Sequence, residues 1–343
     1  MIKERKLFKI ALSLVAAGAV LLGCGYIFGG YKNVYGNSNG FTINESKEMV
    51  NEKHSLDNFK NIRLDVDYGD VEIEKGSEYA IETIYNKSLD DISYDTSDDT
   101  LSIEGHRKNK VLFNINCSDD NNENSSTKIK IYVPDGTEIS EIKSQMSCGD
   151  MSIKGLIIKN GTIKCDYGDT VLNDIECSNM NICNKCGDID LNNIKGNSVI
   201  TTSEYGNIKI SHLDAGNFSC DLKSGDLDFS NLKFESAIVS NSYGDIEGKN
   251  INGNGLKLTS KCGDIDISGD VKGENTIDSE FGSVKLQTLL SQEEYSYDFD
   301  AKFGECRVNG KKQNAQCTKT DESSNNKISA ACKSGDIEID FAK

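Results

Sequence analysis

Apolar and polar residues alternate in short runs from about Leu56 to the C-terminus. Ile62, Leu64 and Val66, followed by Val71 and Ile73, predict half-buried strands. From residue 149 the alternation acquires a fixed register. Gly149, Gly168, Gly187, Gly206, Gly225, Gly244, Gly263 and Gly282 stand 19 residues apart without a slip. Two positions after these glycines lie residues such as Ile189, Ile208 and Leu227, and four after lie Leu191, Ile210 and Phe229. Seven after come Ile194 and Leu213, and fourteen after come Ile182 and Val239. A strand period inside each unit, kept in register between units, predicts short strands stacked into coils over a thin continuous core. The expected fold is all-β, a parallel β-solenoid of about 19 residues per coil. The position just before each Gly alternates large and small: Cys148, Tyr167, Cys186, Tyr205, Ser224, Tyr243, Cys262, Phe281. This column is expected to face inward, a ring beside a small residue filling the core.

Outside the array the pattern is less regular. Residues 56–140 are expected to form an irregular β-cap over the first coil, because an uncovered solenoid end exposes strand edges. That cap holds a displaced unit, Tyr68-Gly69-Asp70-Val71-Glu72-Ile73, and a turn at Pro134-Asp135-Gly136. The solenoid takes up residues 141–343, and its period breaks after Gly282, with Gly304 and Gly335 at longer intervals. The chain is expected to close on the strand around Ile337 and Ile339 as a C-terminal capping coil. Polar loops are expected at 107–127 and 309–327, and residues 31–55 read as a polar tether.

Ahead of the tether, Lys3, Arg5, Lys6 and Lys9 precede an apolar run from Ile10 to Gly30. A helix of that length just crosses a hydrocarbon core of about 30 Å. The charge bias leaves residues 1–9 in the cytoplasm and sends residues 31–343 outside, a single-pass membrane protein. The alternative is a lipoprotein anchored at Cys24, since Leu21-Leu22-Gly23-Cys24 approximates a lipobox. Leu22 fits that motif poorly and the apolar run continues past Cys24, so the transmembrane helix is preferred.

The net charge of −17 argues against nucleic acid as a partner, since a phosphate backbone demands a basic patch. The twelve cysteines do not form a disulfide framework once placed on the register. Cys148, Cys186 and Cys262 recur in alternate coils, about 10 Å apart and beyond disulfide reach. Most cysteines therefore read as small buried apolar residues.

Candidate chemistry is sparse. Asp150, Asp169, Asp188, Asp226, Asp245 and Asp264 follow the repeat glycines and form a carboxylate ladder, with Asn207 in the gap. Such a row could take divalent cations, but Asp beside a Gly corner more simply caps backbone N–H groups. Neighbouring carboxylates there repel by roughly 1 kcal/mol in water, which turn hydrogen bonds can offset. Cys183 and Cys186 make a CxxC, with Cys165 and Cys177 nearby, yet the register sets the pair facing apart, against zinc or redox chemistry. His54, His106 and His212 join no nucleophilic arrangement. Polysaccharide cleavage by paired carboxylates would need walls around a cleft, and the unbroken register supplies none. No cofactor and no enzymatic activity are expected.

The chain resembles the "putative adhesin" domains of bacterial envelope proteins, related to the heads of autotransporter adhesins. The resemblance rests on Gly-Tyr-Ile-Phe-Gly-Gly (25–30), Phe-Lys-Asn-Ile-Arg-Leu-Asp-Val (59–66), Ile-Tyr-Val-Pro-Asp-Gly (131–136), the Gly-Asp-Ile coils and Gly-Asp-Ile-Glu-Ile-Asp-Phe (335–341). It implies a right-handed solenoid on a membrane anchor and carries no catalytic residues. The expected function is a non-enzymatic, surface-displayed scaffold that binds an envelope protein or polysaccharide. The alternative is an envelope-sensing ectodomain that signals through a membrane partner protein.

Overall fold

The structure, a computed structural model, describes residues 33–37, 40–44, 49–108, 113–115 and 127–342. Its body is a stack of parallel strands in which residues of one coil pair with those 19 positions on, save a one-residue slip where Ile251 to Asn254 meet Gly269 to Lys272. Thus Ile189 sits beside Ile208, and Ile208 beside Leu227. Each coil turns sharply at its Gly, where φ lies between 126° and 142° in the eight regular coils. The preceding glycine's carbonyl oxygen would lie only 2.0–2.2 Å from a Cβ placed at any of these eight positions. No side chain fits there, and the backbone conformation disfavours one as well. A second corner falls six residues on, at Asp174, Asn193, His212, Asn231 and Asn250, all left-handed with φ near 55°. Asn and Asp tolerate that conformation better than other side-chain-bearing residues. They also bond along the stack: Asn193 Nδ2 donates to Asp174 Oδ1 at 2.7 Å.

The core lies between the corners. The columns two and four residues after each Gly are buried, as are those seven after the first six glycines and fourteen after the first seven, as the periodicity predicts; seven after Gly282, Leu289 is exposed. A further buried column, three residues before each Gly, includes polar members: Asn184, Ser203, Asn241, Ser260 and Ser279. The corners give several of these side chains carbonyl acceptors. Asn241 Nδ2 donates to the carbonyls of Gly225 and Gly244 at 3.0 and 2.9 Å, and Ser279 Oγ donates to Gly282 at 3.0 Å. Asn184 Nδ2 donates to the Gly168 carbonyl at 3.2 Å, while its Oδ1 accepts from Thr170 Oγ1.

The ends are threaded out of sequence order. Asn61–Val66 and Asp70–Gly76 form the first coil, which stacks on Glu138–Cys148 and Met151–Lys154. Its outer side is covered by Thr100–Arg107 and Lys128–Pro134, which come later in the chain. The other end repeats the device. The chain-terminal strands Asn326–Ser334 and Ile337–Ala342 do not lie outermost, as a capping coil would. They slot between the Gly282 coil and Tyr295–Ala301 with Cys306–Val308, so the capping layer is residues 295–319, with Gln316–Lys319 paired on its outer edge.

The expected tether is only partly extended polar chain. Asn33–Asn37 and Gly40–Asn44 pair in a small antiparallel sheet with Phe113–Ile115. Met49–Ser55 pairs antiparallel with Ala80–Asn86, so the domain begins by residue 49. The expected membrane span at 10–30 and the lipobox at Cys24 lie outside the described residues. Among the described residues no helix is long and apolar enough to cross a membrane, and the helical content is one turn at Gln292–Glu294.

Candidate binding face

The column just before each Gly does not face the core. Its rings stand in solvent: Tyr167, Tyr205, Tyr243 and Phe281 are 50–60% exposed. The parity conflict is resolved by the corner. Residues three before each Gly point inward, and the turn into the glycine swings the next-but-one residue outward.

The ring column extends beyond the regular array. Backbone bonds from each corner Gly set the stacking order. Gly69 donates to Cys148, Gly149 to Tyr167, Gly168 to Cys186, and so on to Gly263 with Phe281 and Gly282 with Ser334. Tyr68 therefore precedes Cys148, and Phe303, beside the stacked Gly304 and Gly335, follows Ser334. Six aromatic rings occupy alternate coils over eleven coils, and Cys148, Cys186, Ser224, Cys262 and Ser334 fill the coils between. With strands about 4.8 Å apart, successive rings are spaced about 9.6 Å. Tyr68 at one end is 37% exposed and Phe303 at the other is 70% exposed.

Cations border the row. Arg107 lies over the Tyr68 ring at 4.1 Å, and Lys223 stands 5.9 Å from the Tyr205 centroid. Lys333 and Lys302 stand 5.7 Å from Phe281 and Phe303. Some are paired: Lys185 meets Asp166 at 2.7 Å, and Lys223 meets Glu204 at 3.7 Å.

On the other side of each Gly runs the carboxylate ladder. The Oδ1 atoms of Asp150 and Asp169 accept the N–H of Asp169 and Asp188, each at 2.8 Å. Asp188 serves Asn207, and the pattern continues through Asp226, Asp245 and Asp264, which serves Ser283 at 2.7 Å. Each carboxylate thus replaces the strand partner that the corner removes. Asn207 does the same, its Oδ1 accepting the Asp226 N–H at 3.0 Å. Among the described residues no group of three or more His, Cys, Asp or Glu is placed to hold a metal ion.

The remaining candidates do not converge. Cys183 and Cys186 are both half-buried, and among the described residues every cysteine is a free thiol. Cys148 and Cys262 are likewise half-buried rather than core residues. Burial pushes the Cys165 and Cys177 thiols up to about 11 and Cys220 up to about 12, away from nucleophilic use. His212 sits in the second-corner ladder, 3.3 Å from Asn231 Nδ2, and His106 pairs with Asp67 at 3.2 Å. Two open hollows of about 380 and 410 Å³ lie on the flanks, around Arg63, Lys143 and Lys164 and around Glu176, Lys195 and Asp214.

Fold and face together define a non-globular β-solenoid with one repeating surface. The chain belongs to the Toastrack DUF4097 family, whose sequence profile matches residues 59–198 and 181–340. This is the adhesin-like β-solenoid family that the Gly-Asp-Ile coils suggest. Similar solved structures include a putative adhesin from Bacteroides fragilis, 15% identical, covering 87% of this chain and 98% of that one, with a TM-score of 0.37. A putative adhesin from Parabacteroides merdae is 13% identical over 86% and 96%, at 0.40. A putative lipid binding protein from Parabacteroides distasonis is 17% identical over 86% and 97%, at 0.41. No curated protein matches the sequence.

Proposed function

We propose that the protein is a non-enzymatic binding scaffold of adhesin type, displayed outside the cell membrane and held there by residues 10–30. Its partner is an extended envelope polymer rather than a small molecule. The observation that carries this role is the row of six exposed rings along an unwalled stack. A chain with −17 net charge gains nothing in folding from leaving large apolar faces in water at every second coil. The same regularity speaks against catalysis. One chemical environment repeated along the stack suits a repeating ligand, whereas catalysis needs a unique convergence of groups.

The test uses the full-length protein on intact cells that produce it. A membrane-impermeant crosslinker should capture it together with envelope material, and Tyr167→Ser/Tyr205→Ser/Tyr243→Ser should reduce the capture. Recovery of cytoplasmic proteins alone would overturn both the display and the scaffold role. Exchange of residues 10–30 for an unrelated anchor should leave capture intact; its loss would point instead to signalling through a membrane partner.

A further inference from the structure

Ring spacing and charge together narrow the kind of polymer, given the scaffold role above. Rings recur every second coil, about 9.6 Å apart, while carboxylates recur nearly every coil, about 4.8 Å apart. Nine of the eleven coils carry Asp or Glu just after the corner Gly, Asn207 and Ser283 being the exceptions. The face therefore offers nine negative charges against six aromatic rings, one or two in each ring interval. In the ladder proper, one oxygen of each carboxylate accepts a backbone N–H, and the exposed group keeps its second oxygen for a ligand.

An extended peptide strand presents one face every two residues, about 6.8 Å, and loses step with the rings within two intervals. A polyproline helix comes closer, at about 9.3 Å per turn, but it lays one residue of each turn on the face, and Pro carries no charge for the carboxylates. A β-1,4-linked glycan is a ribbon in which each sugar is turned over relative to the last. Its alternate sugars present the same apolar C–H face, and each sugar spans about one strand spacing, about 5 Å. A free amine on every sugar places ammonium groups alternately on the two edges of the ribbon, so one per repeat, at the ring spacing, faces the carboxylate column. Ammonium groups are also drawn to the negative faces of aromatic rings. Neutral glycans leave the ladder unmatched, and acidic ones meet its repulsion.

We propose that the ring row and the adjoining aspartates form a track for a β-1,4-linked amino-sugar polymer with free amines. Tyr167, Tyr205, Tyr243 and their equivalents stack under alternate sugars, and the aspartates meet the ammonium groups. The small residues between the rings leave room for the sugars that face away.

Co-sedimentation of the full-length protein with chitosan, chitin and cellulose at mildly acidic pH tests this, since chitosan amines are charged there. Chitosan should be bound best, and high salt should weaken it. Tyr167→Ser/Tyr205→Ser/Tyr243→Ser places in three ring coils the residue that Ser224 already supplies in the same column, so the fold should persist. Circular dichroism checks that, and the dissociation constant should rise about tenfold or more. Asp169→Asn/Asp188→Asn/Asp226→Asn keeps the Oδ1 acceptor, as Asn207 does natively, and should weaken chitosan binding similarly. Equal binding by either folded variant, or a preference for chitin or cellulose, would overturn the assignment. So would ring-dependent binding of a lysine-bearing polyproline peptide in place of chitosan, or a dimer that buries the rings. Ring-dependent binding to isolated cell walls without chitosan binding would sink the amino-sugar assignment and leave the scaffold role standing. Ring-independent behaviour towards both would sink both.

Discussion

Asp150 Oδ1 accepts the backbone N–H of Asp169 at 2.8 Å, one coil further along the stack. That bond explains why an exposed row of like charges persists at strand spacing. The Gly corner interrupts the sheet ladder, and the carboxylate supplies the acceptor that the neighbouring coil's N–H would otherwise take from water.

The acceptor and the charge can be separated by substitution. Asp188→Asn should be nearly neutral in urea denaturation, within about 0.5 kcal/mol, because Asn207 already performs this role in the next coil. Asp188→Ala removes the acceptor for the Asn207 N–H and should cost about 1 kcal/mol. If Asn and Ala cost the same, the ladder's charge rather than its hydrogen bond would be the stabilising element.

The corner glycines should divide sharply from the others. Gly206 has φ 126°, and a Cβ there would lie 2.2 Å from the Gly187 carbonyl oxygen. Gly206→Ala forces two coils apart and should abolish soluble monomer or cost more than about 4 kcal/mol. Gly136 also has positive φ, but nothing lies within 4 Å of its added Cβ. Gly136→Ala should cost about 1 kcal/mol, the left-handed backbone penalty alone. Thermal unfolding of the two variants makes the comparison, and equal effects would contradict the close-approach explanation.

Asp90 predicts a pH dependence. Its buried carboxyl accepts from Thr127 Oγ1 at 2.6 Å and lies 3.6 Å from Arg107 Nε. Desolvation raises its pKa, and the Thr127 hydrogen bond and the Arg107 and Lys108 charges offset this only partly. Well below the unfolded value near 3.9, both states hold the proton and no penalty arises. As pH climbs from there through the raised folded value, the unfolded chain releases a proton that the folded chain retains, so stability falls. Above the folded value the loss is complete. Asp90→Asn removes this component, so the variant's stability relative to the native chain should be greater at pH 7 than at pH 3. Urea midpoints at the two pH values measure it, and an unchanged difference would show that Asp90 carries no net penalty.

The coils were legible because a single register repeats Gly149 to Gly282, with period-2 burial inside it. The ring direction was not. Tyr167 shares strand parity with buried Cys165, and only the corner at Gly168 turns it out. The buried polar column was missed for a related reason, since Asn184 and Asn241 find their acceptors in glycine carbonyls that a sequence does not reveal. The threading of the ends left one usable signal. Rings and small residues alternate through Cys262 and Phe281, yet along the chain Phe303 follows Phe281 directly. Placing Ser334 between them restores the alternation, which is the order the backbone bonds adopt.

That threading predicts an unusual response to truncation. In an ordinary solenoid the last coil can be removed at the cost of one interface, because each repeat contacts only its neighbours. Here Asn326–Ser334 and Ile337–Ala342 fill the gap between the Gly282 coil and the outer layer. Ile328, Cys332, Ile337 and Ile339 are buried there, and Phe341 packs 5.5 Å from Tyr295 and 5.7 Å from Tyr297. A chain ending at residue 325 loses that coil and detaches the outer layer as well, exposing the edge of the Gly282 coil to other chains. It should aggregate or unfold well below the native temperature. Deleting residues 188–225 removes more chain, but takes two whole coils and leaves both the register and the ring alternation continuous. That shorter solenoid should remain a soluble monomer with cooperative unfolding. Gel filtration and thermal circular dichroism of the two shortened proteins decide the matter. A stable truncation at residue 325 would mean that the terminal strands merely decorate the stack rather than lock it.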